Sequence, residues 1–104
     1  MRLRKVKNAP VIIAENADVI LENPIQYRGK WNQFFKNDNP IEIEIGMGKG
    51  KFISTKARNH PNINYIGIEK FDSVIIRAID AVKENDLENL RLLHYDAKEL
   101  RNVF

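Results

Sequence analysis

Three glycines at alternate positions follow an acidic residue in the segment Glu44-Ile45-Gly46-Met47-Gly48-Lys49-Gly50. Glycines in such a loop let the backbone turn sharply and approach a ligand closely. The spacing separates the ligand classes that use loops of this kind. A phosphate-binding P-loop requires Gly-Lys followed by Ser or Thr, and neither Lys49 nor Lys51 is followed by one. A dinucleotide-binding loop requires G-x-G-x-x-G, whereas the spacing here is G-x-G-x-G.

An acid two positions before G-x-G-x-G is typical of methyltransferases that use S-adenosylmethionine. This cofactor has no phosphate to bind, but it carries a cationic amino group that the carboxylate of Glu44 could balance. We therefore expect Glu44, Gly46 and Gly48 to contact the cofactor. The alternative interpretation is a glycine-rich tight turn without a ligand.

Two more acids are predicted to end strands. Glu69 closes the run 63–69, at about the distance from the glycine loop where doubly wound nucleotide-binding folds place an acid for ribose hydroxyls. A carboxylate accepts hydrogen bonds from two hydroxyls and disfavours a 2′-phosphate, so the ribose should be unphosphorylated. Asp96 follows the run 90–95 and could accept a hydrogen bond from an adenine amino group. Either acid could instead cap a helix, but three acids at consecutive strand ends favour a cofactor site.

The elements around these residues alternate in their hydrophobic period. We expect three strands and two intervening helices, in the order strand 41–45, helix 49–59, strand 63–69, helix 71–85 and strand 90–95. Phe52, Ile53 and Ala57 are predicted to face inward on the first helix. Short connections between such elements imply right-handed βαβ units and a parallel sheet. The predicted fold class is α/β, the first half of a Rossmann-like doubly wound sheet.

The first third of the chain differs in charge from the remainder. Residues 1–36 contain seven Lys/Arg and three Asp/Glu, whereas residues 37–104 contain ten and eleven. We expect a basic N-terminal arm and an aromatic helix in 1–36, and a partial S-adenosylmethionine-binding domain in 37–104. The aromatic helix should begin at Pro24 and dock through Tyr27, Trp31, Phe34 and Phe35. The basic residues that would contact RNA phosphates, unless the arm is merely a disordered tail, are Arg2, Arg4, Lys5 and Lys7.

Several segments, in one order along the whole chain, resemble the bacterial tRNA (guanine-N7-)-methyltransferase family. The segments are Met1-Arg2-Leu3-Arg4, Asn23-Pro24, Tyr27-Arg28-Gly29-Lys30-Trp31, Asn37-Asp38-Asn39-Pro40, Ile43 to Gly50, and Asn64-Tyr65-Ile66-Gly67-Ile68-Glu69. The resemblance implies a class I fold that transfers a methyl group from S-adenosylmethionine to N7 of a guanine in the tRNA variable loop. It also implies that Glu44, Glu69 and Asp96 match the family's cofactor-contacting acids. The family's catalytic-loop aspartate and downstream tRNA-contacting residues would lie beyond Phe104, so we expect no catalytic residue in this chain.

Composition limits the other possibilities. The absence of cysteine excludes disulfides and thiolate metal sites, and we expect no metal. No apolar run is long enough for a membrane span, and the chain is predicted to be cytoplasmic. The alternatives are a nicotinamide-dependent oxidoreductase, a non-catalytic RNA-binding module and another S-adenosylmethionine-dependent methyltransferase. The strand 41–45 would be an edge in this chain, so we also expect pairing with a second copy.

Overall fold

The computed structural model describes residues 8–48 and 50–104, so the four predicted RNA-contacting residues of the N-terminal arm lie outside the described residues. The strands are β1 (Ile20–Leu21), β2 (Ile41–Ile45), β3 (Asn64–Glu69) and β4 (Leu90–His94). The α-helices are α1 (Ala9–Glu15), α2 (Trp31–Phe35), α3 (Lys51–Asn59) and α4 (Asp72–Glu84). Two 3-10 segments cover Pro24–Tyr27 and Ala97–Asn102.

The strands form one parallel sheet in the order β1-β4-β3-β2. The predicted alternation of strands and helices is confirmed from β2 to β4. In register, Ile43 of β2 lies beside Ile66 of β3, and Ile68 lies beside Leu93 of β4. Because neighbouring residues in register point to the same face, these side chains mark one side of the sheet. The order of β4, β3 and β2 is that of the first half of a Rossmann-like doubly wound sheet, as expected.

Helices α1, α3 and α4 cover the opposite face. Ile53 and Ala57 of α3 are buried there, at the i, i+4 spacing of one helix stripe. Phe52 was predicted to face inward as well, and this is wrong, since its side chain is 66% exposed. One residue along a helix rotates the side chain by about 100°, so Phe52 points away from the stripe that Ile53 occupies.

The aromatic residues cover the face marked by Ile66 and Ile68. They do not lie on one continuous helix, as the sequence pattern predicts. The 3-10 turn Pro24–Tyr27 is separated from α2 by Gly29, whose φ of 74° lies in the left-handed region and interrupts the helix. The docking of the aromatic side chains is nevertheless confirmed, because Trp31 is buried in a cluster with Ile66 and Ile68, and Tyr27, Phe34 and Phe35 pack against it.

Strand β1 is an addition that the hydrophobic pattern does not predict. Ile20 pairs with Leu92 and Leu21 with Leu93. The segment before residue 37 therefore contributes a strand to the sheet, and α1 packs against α4 on one side of it. Each of the two hydrophobic clusters, one on either face of the sheet, contains residues from both sides of the predicted boundary at 36/37.

Strand β2 lies at an edge of the sheet, as expected. Among the described residues, no strand pairs with its outer side. The side chains of Ile43 and Ile45 are exposed on the face that carries the aromatic cluster. No helix in the described part of the chain is both long and apolar enough to cross a membrane.

Candidate functional site

A cavity of about 340 Å³ opens at the carboxyl ends of the strands, where parallel α/β sheets bind their ligands. Its volume lies at the lower end of the range for small-molecule sites. The walls come from the end of β2, the end of β3 and the segment after β4. The lining residues are Ile45, Gly46, Ile68, Glu69, Lys70, Phe71, Tyr95, Asp96, Ala97 and Lys98.

The glycine loop forms one wall. The backbone N–H groups of Gly46 and Met47 donate to the carbonyl of Ile68, at 2.8 and 3.2 Å. Gly46 and Gly48 have φ values of 68° and 60°, which a residue with a side chain rarely adopts. These conformations turn the chain from β2 towards α3 while its backbone stays against the end of β3. The sharp turn that the glycine spacing predicts is therefore present.

The side chain of Met47 anchors this loop in the core. It is buried and lies directly over Gly67, in the middle of β3. A Cβ atom at position 67 would collide with Sδ of Met47. The absence of a side chain at Gly67 thus gives Met47 its place, and Met47 in turn fixes the loop above it.

Glu69 lies at the centre of the site. Its side chain is 8% exposed. Oε1 accepts a hydrogen bond from the N–H of Gly48 at 3.3 Å, and Oε2 accepts one from the N–H of Phe71 at 3.2 Å. Each carboxylate oxygen has two lone pairs, so both oxygens retain capacity for a ligand. The carboxylate is oriented by backbone donors on two different loops, and it could accept hydrogen bonds from a pair of hydroxyls.

Asp96 lies on the other side of the cavity. Its Oδ1 accepts a hydrogen bond from the N–H of Lys98 at 3.0 Å, which caps the 3-10 segment. Within the described residues, no hydrogen bond engages Oδ2. Asp96 could therefore cap the 3-10 segment through Oδ1 and bind a ligand through Oδ2, so the two interpretations are compatible.

Glu44 is not brought to this cavity. It lies level with Gly67 in the register, one residue inside the end of β2, and its side chain faces α3. A separate cavity of about 200 Å³ there is lined by Glu44, Lys56 and Tyr65, among others. Burial raises the pKa of Glu44, and the positive charge of Lys56 offsets part of the rise. Oε2 of Glu44 is buried and has no hydrogen-bond partner among the described residues.

The sequence interpretation missed Phe71 as a site residue. Phe71 is 48% exposed, and it lines the cavity two residues after Glu69. An exposed aromatic face beside a carboxylate with free acceptor capacity could contact a planar base. The signal was its position after the strand-end acid, but an aromatic residue at the start of a helix is usually interpreted as core. The described residues contain no group of three or more His, Cys, Asp or Glu side chains that could hold a metal ion.

The comparisons with known proteins agree with this fold. Residues 38–104 match a family model described as "Putative methyltransferase", and the chain belongs to this family. Its fold is thus that of an α/β methyltransferase.

The relatives are more specific. The chain is 53% identical over its whole length to the protein named tRNA (guanine-N(7)-)-methyltransferase in Bacillus subtilis (strain 168), of which it covers 49%. It is 52% identical to the protein of the same name in Geobacillus sp. (strain WCH70), and it covers 47% of that protein. For the Listeria monocytogenes protein of that name (serovar 1/2a, strain ATCC BAA-679 / EGD-e), the identity is 46% and the share covered is 49%. The family resemblance seen in the sequence is confirmed, and the chain spans about half the length of the curated relatives it matches.

Proposed function

We propose that this chain contributes the cofactor-binding half of an S-adenosylmethionine-dependent tRNA (guanine-N7-)-methyltransferase. The observation that carries the proposal is the orientation of Glu69 by two backbone N–H groups, opposite Asp96 in one cavity. The names of the relatives support the choice of reaction. When bound, the cofactor supplies a methyl group on a sulfonium.

The chemistry of the cavity fits the adenosine part of this cofactor. Glu69 would accept hydrogen bonds from both ribose hydroxyls, and Asp96 would accept one from the adenine amino group through Oδ2. Phe71 would contact the face of the base. Gly46 and Gly48 would let the backbone approach the methionine part. Glu44, with its unpartnered oxygen, is our candidate for the ammonium group, and this role requires its side chain to turn from the cavity beside α3 towards the glycine loop.

Guanine N7 already carries a free lone pair, so no base is required before it attacks the methyl group. The protein's main task is then to hold the two reacting atoms in line and near contact, an effect that can supply several kcal/mol. A carboxylate near the purine would stabilise the positive charge that develops there. We place this residue, and the residues that contact the guanine, beyond Phe104.

The substrate proposal also concerns the N-terminal arm. Arg2, Arg4, Lys5 and Lys7 would contact phosphates of the tRNA, and this adds affinity without base specificity. A guanine in the variable loop is accessible without opening a helix, which suits an enzyme acting on a base. The reaction on tRNA is the reason to place the protein in the cytoplasm.

The decisive experiment uses the complete gene product, S-adenosylmethionine with a labelled methyl group, and an unmodified tRNA transcript. We expect label in the tRNA, and none in a matched transcript whose variable-loop guanine is 7-deazaguanine, which lacks N7. Equal labelling of both transcripts would exclude N7 as the acceptor. Calorimetry separates the rivals, since a pure RNA-binding module would give no heat with S-adenosylmethionine and a nicotinamide enzyme would bind the dinucleotide instead.

We also propose that residues 1–104, when separated from any further chain, pair through β2 with a second copy. The unpaired outer side of β2 and the exposed Ile43 and Ile45 support this, because such edges seek another strand. Sedimentation should give about twice the 12.1 kDa chain mass. Ile43→Lys should shift residues 1–104 from dimer to monomer. A wild-type fragment that is monomeric and unfolds cooperatively would contradict the proposal.

A further inference from the structure

Trp31 connects the N-terminal part of the chain to its last described residues. The indole is 6% exposed and belongs to the aromatic cluster on one face of the sheet. Its Nε1–H donates a hydrogen bond to the carbonyl of Val103 at 3.0 Å. Its ring also stacks on Phe104, with ring centroids 5.2 Å apart and an angle of 22° between the planes. The hydrogen bond and the ring contact therefore hold residues 103–104 against α2.

The segment held by Trp31 is the one that begins at Asp96. The carbonyl of Asp96 accepts from the N–H of Glu99 at 3.0 Å, and the carbonyl of Leu100 accepts from Val103 at the same distance. Tyr95 and Leu100 pack on the cluster that contains Trp31, and Tyr95 also lines the cavity. The wall that carries Asp96 is thus fixed at one end by β4 and at the other by Trp31.

Glu69 does not depend on this support. Its two oxygens are oriented by Gly48 and Phe71, which lie on the loops after β2 and β3. Asp96 is exposed, and the hydrogen bonds that it accepts come from its own 3-10 segment. A shift of this segment should therefore move Asp96 and leave Glu69 in place.

We infer that Trp31 is a positioning residue that sets the place of Asp96 and so the preference of the site for an adenine base. Trp31 does not line the cavity itself, and it acts through the segment 97–103. The inference rests on the proposed function. This role of Trp31 differs from a general stabilising role, because it predicts a change in the preference for the base and no change in the binding of the ribose.

The test compares two ligands in the complete gene product. S-adenosylhomocysteine carries the 6-amino group that Asp96 would bind, and S-inosylhomocysteine has a carbonyl oxygen in its place. The wild-type protein should prefer the adenosyl ligand by about tenfold or more, the effect of a hydrogen bond to a charged group. In Trp31→Phe, which keeps an aromatic ring but loses the indole N–H, this ratio should fall towards one, while affinity for the inosyl ligand stays close to that of the wild type.

Phe34→Leu is the matched control. Phe34 contacts the Trp31 ring edge-on, with centroids 5.4 Å apart, but makes no bond to Val103 through its side chain. Its replacement reduces the packing of the same cluster and should leave the ligand ratio unchanged. Phe104→Leu removes the ring that stacks on Trp31. Because Phe104 is partly exposed, the variant should still unfold cooperatively, and its preference for the adenosyl over the inosyl ligand should fall.

A double-mutant cycle provides the second criterion. If Trp31 acts through Asp96, then Trp31→Phe should not lower the ratio further in an Asp96→Ala background. The role of Trp31 would be overturned if Trp31→Phe lost the same affinity for both ligands, or if the ratio fell as much in Phe34→Leu as in Trp31→Phe. Either result would leave the proposed function unaffected. A wild-type protein that binds neither ligand would overturn the proposed function and the inference with it.

Discussion

The carboxylate of Glu69 accepts a hydrogen bond from the backbone N–H of Gly48, which lies 21 residues earlier in the chain. This bond joins the end of β3 to the loop that follows β2. The loop is also held by the buried side chain of Met47, so the carboxylate and the glycine loop form one unit. A site whose acceptor is already oriented loses less entropy when a ligand binds.

The first prediction concerns this acceptor. Glu69→Ala should weaken the binding of S-adenosylmethionine by about 1.5–3 kcal/mol, the range for a hydrogen bond to a charged group. Calorimetry on the complete gene product measures the change. Glu84→Ala is a suitable control, because Glu84 is an exposed acid at the far end of the helix that follows Glu69. Equal affinities in Glu69→Ala and wild type would show that Glu69 does not bind the cofactor.

The second prediction concerns the contact below the loop. Gly67→Ala should lower the free energy of unfolding by about 1–3 kcal/mol, the usual cost of overpacking a core. The new methyl group would collide with Sδ of Met47, and Cγ of Met47 would lie 3.3 Å away. Urea unfolding of the single and double mutants tests this. Gly67→Ala should cost less in a Met47→Ala background, and a cost that is the same in both backgrounds would assign the effect to another contact.

The fold from β2 to β4 could be predicted because its signals are local. Runs of apolar residues lie within the elements that they define, and the glycine loop lies directly between β2 and α3. Strand β1 could not be predicted in this way, because two residues have no periodicity and become a strand only by pairing with β4. The alternation Ile41-Glu42-Ile43-Glu44-Ile45 is unusual for a buried parallel strand, and the edge position of β2 explains it.

The site could be predicted in part for the same reason. Acids that follow strands must lie at the carboxyl edge of a parallel sheet, and this property brings Glu69 and Asp96 to one cavity. Glu44 precedes the end of its strand by one residue, so it lies level with Gly67 and below that edge. The connection from Trp31 to Val103 depends on how two distant segments pack, and no local pattern indicates it.

The third prediction concerns the pH dependence of stability. Burial raises the pKa of Glu44, so the folded state binds more protons than the unfolded state, and stability falls as the pH rises from the ordinary value of 4.5. Glu44→Gln should therefore be more stable than wild type at pH 7. The difference should vanish at pH values below the ordinary pKa of a glutamate side chain. Urea unfolding at several pH values measures this.

The control for this prediction lies on the same strand. Glu42 forms an exposed ion pair with Lys56, with Nζ and Oε1 3.4 Å apart. Such pairs contribute about 0–1 kcal/mol, so Glu42→Gln should leave the stability at pH 7 unchanged or slightly reduced. A Glu44→Gln protein that is less stable than wild type at pH 7 would show that the charge of Glu44 has a favourable partner.

The fourth prediction concerns the N-terminal arm. Neutral residues in place of Arg2, Arg4, Lys5 and Lys7 should weaken tRNA binding and flatten its salt dependence. Each lost phosphate contact should remove roughly 0.7–0.9 from the slope of log affinity against log salt. A variant with the same loss of charge on α3 and α4 is the control, with replacements at Lys51, Arg58, Arg77 and Lys83. If the slope falls equally in both variants, the arm makes no specific phosphate contacts and contributes only to the overall positive charge of the protein.

The pairing of β1 with β4 has a consequence during protein synthesis. Ile20 and Leu92 are separated by 72 residues, so the partner of β1 leaves the ribosome long after β1 itself. At synthesis rates of about 5–20 residues per second, the delay is about 4–14 s. Throughout that time the apolar residues of β1 have no β4 to pair with, and they are accessible to chaperones at the exit tunnel. Strand β1, which is made before the other three strands, is therefore among the last to reach its native contacts.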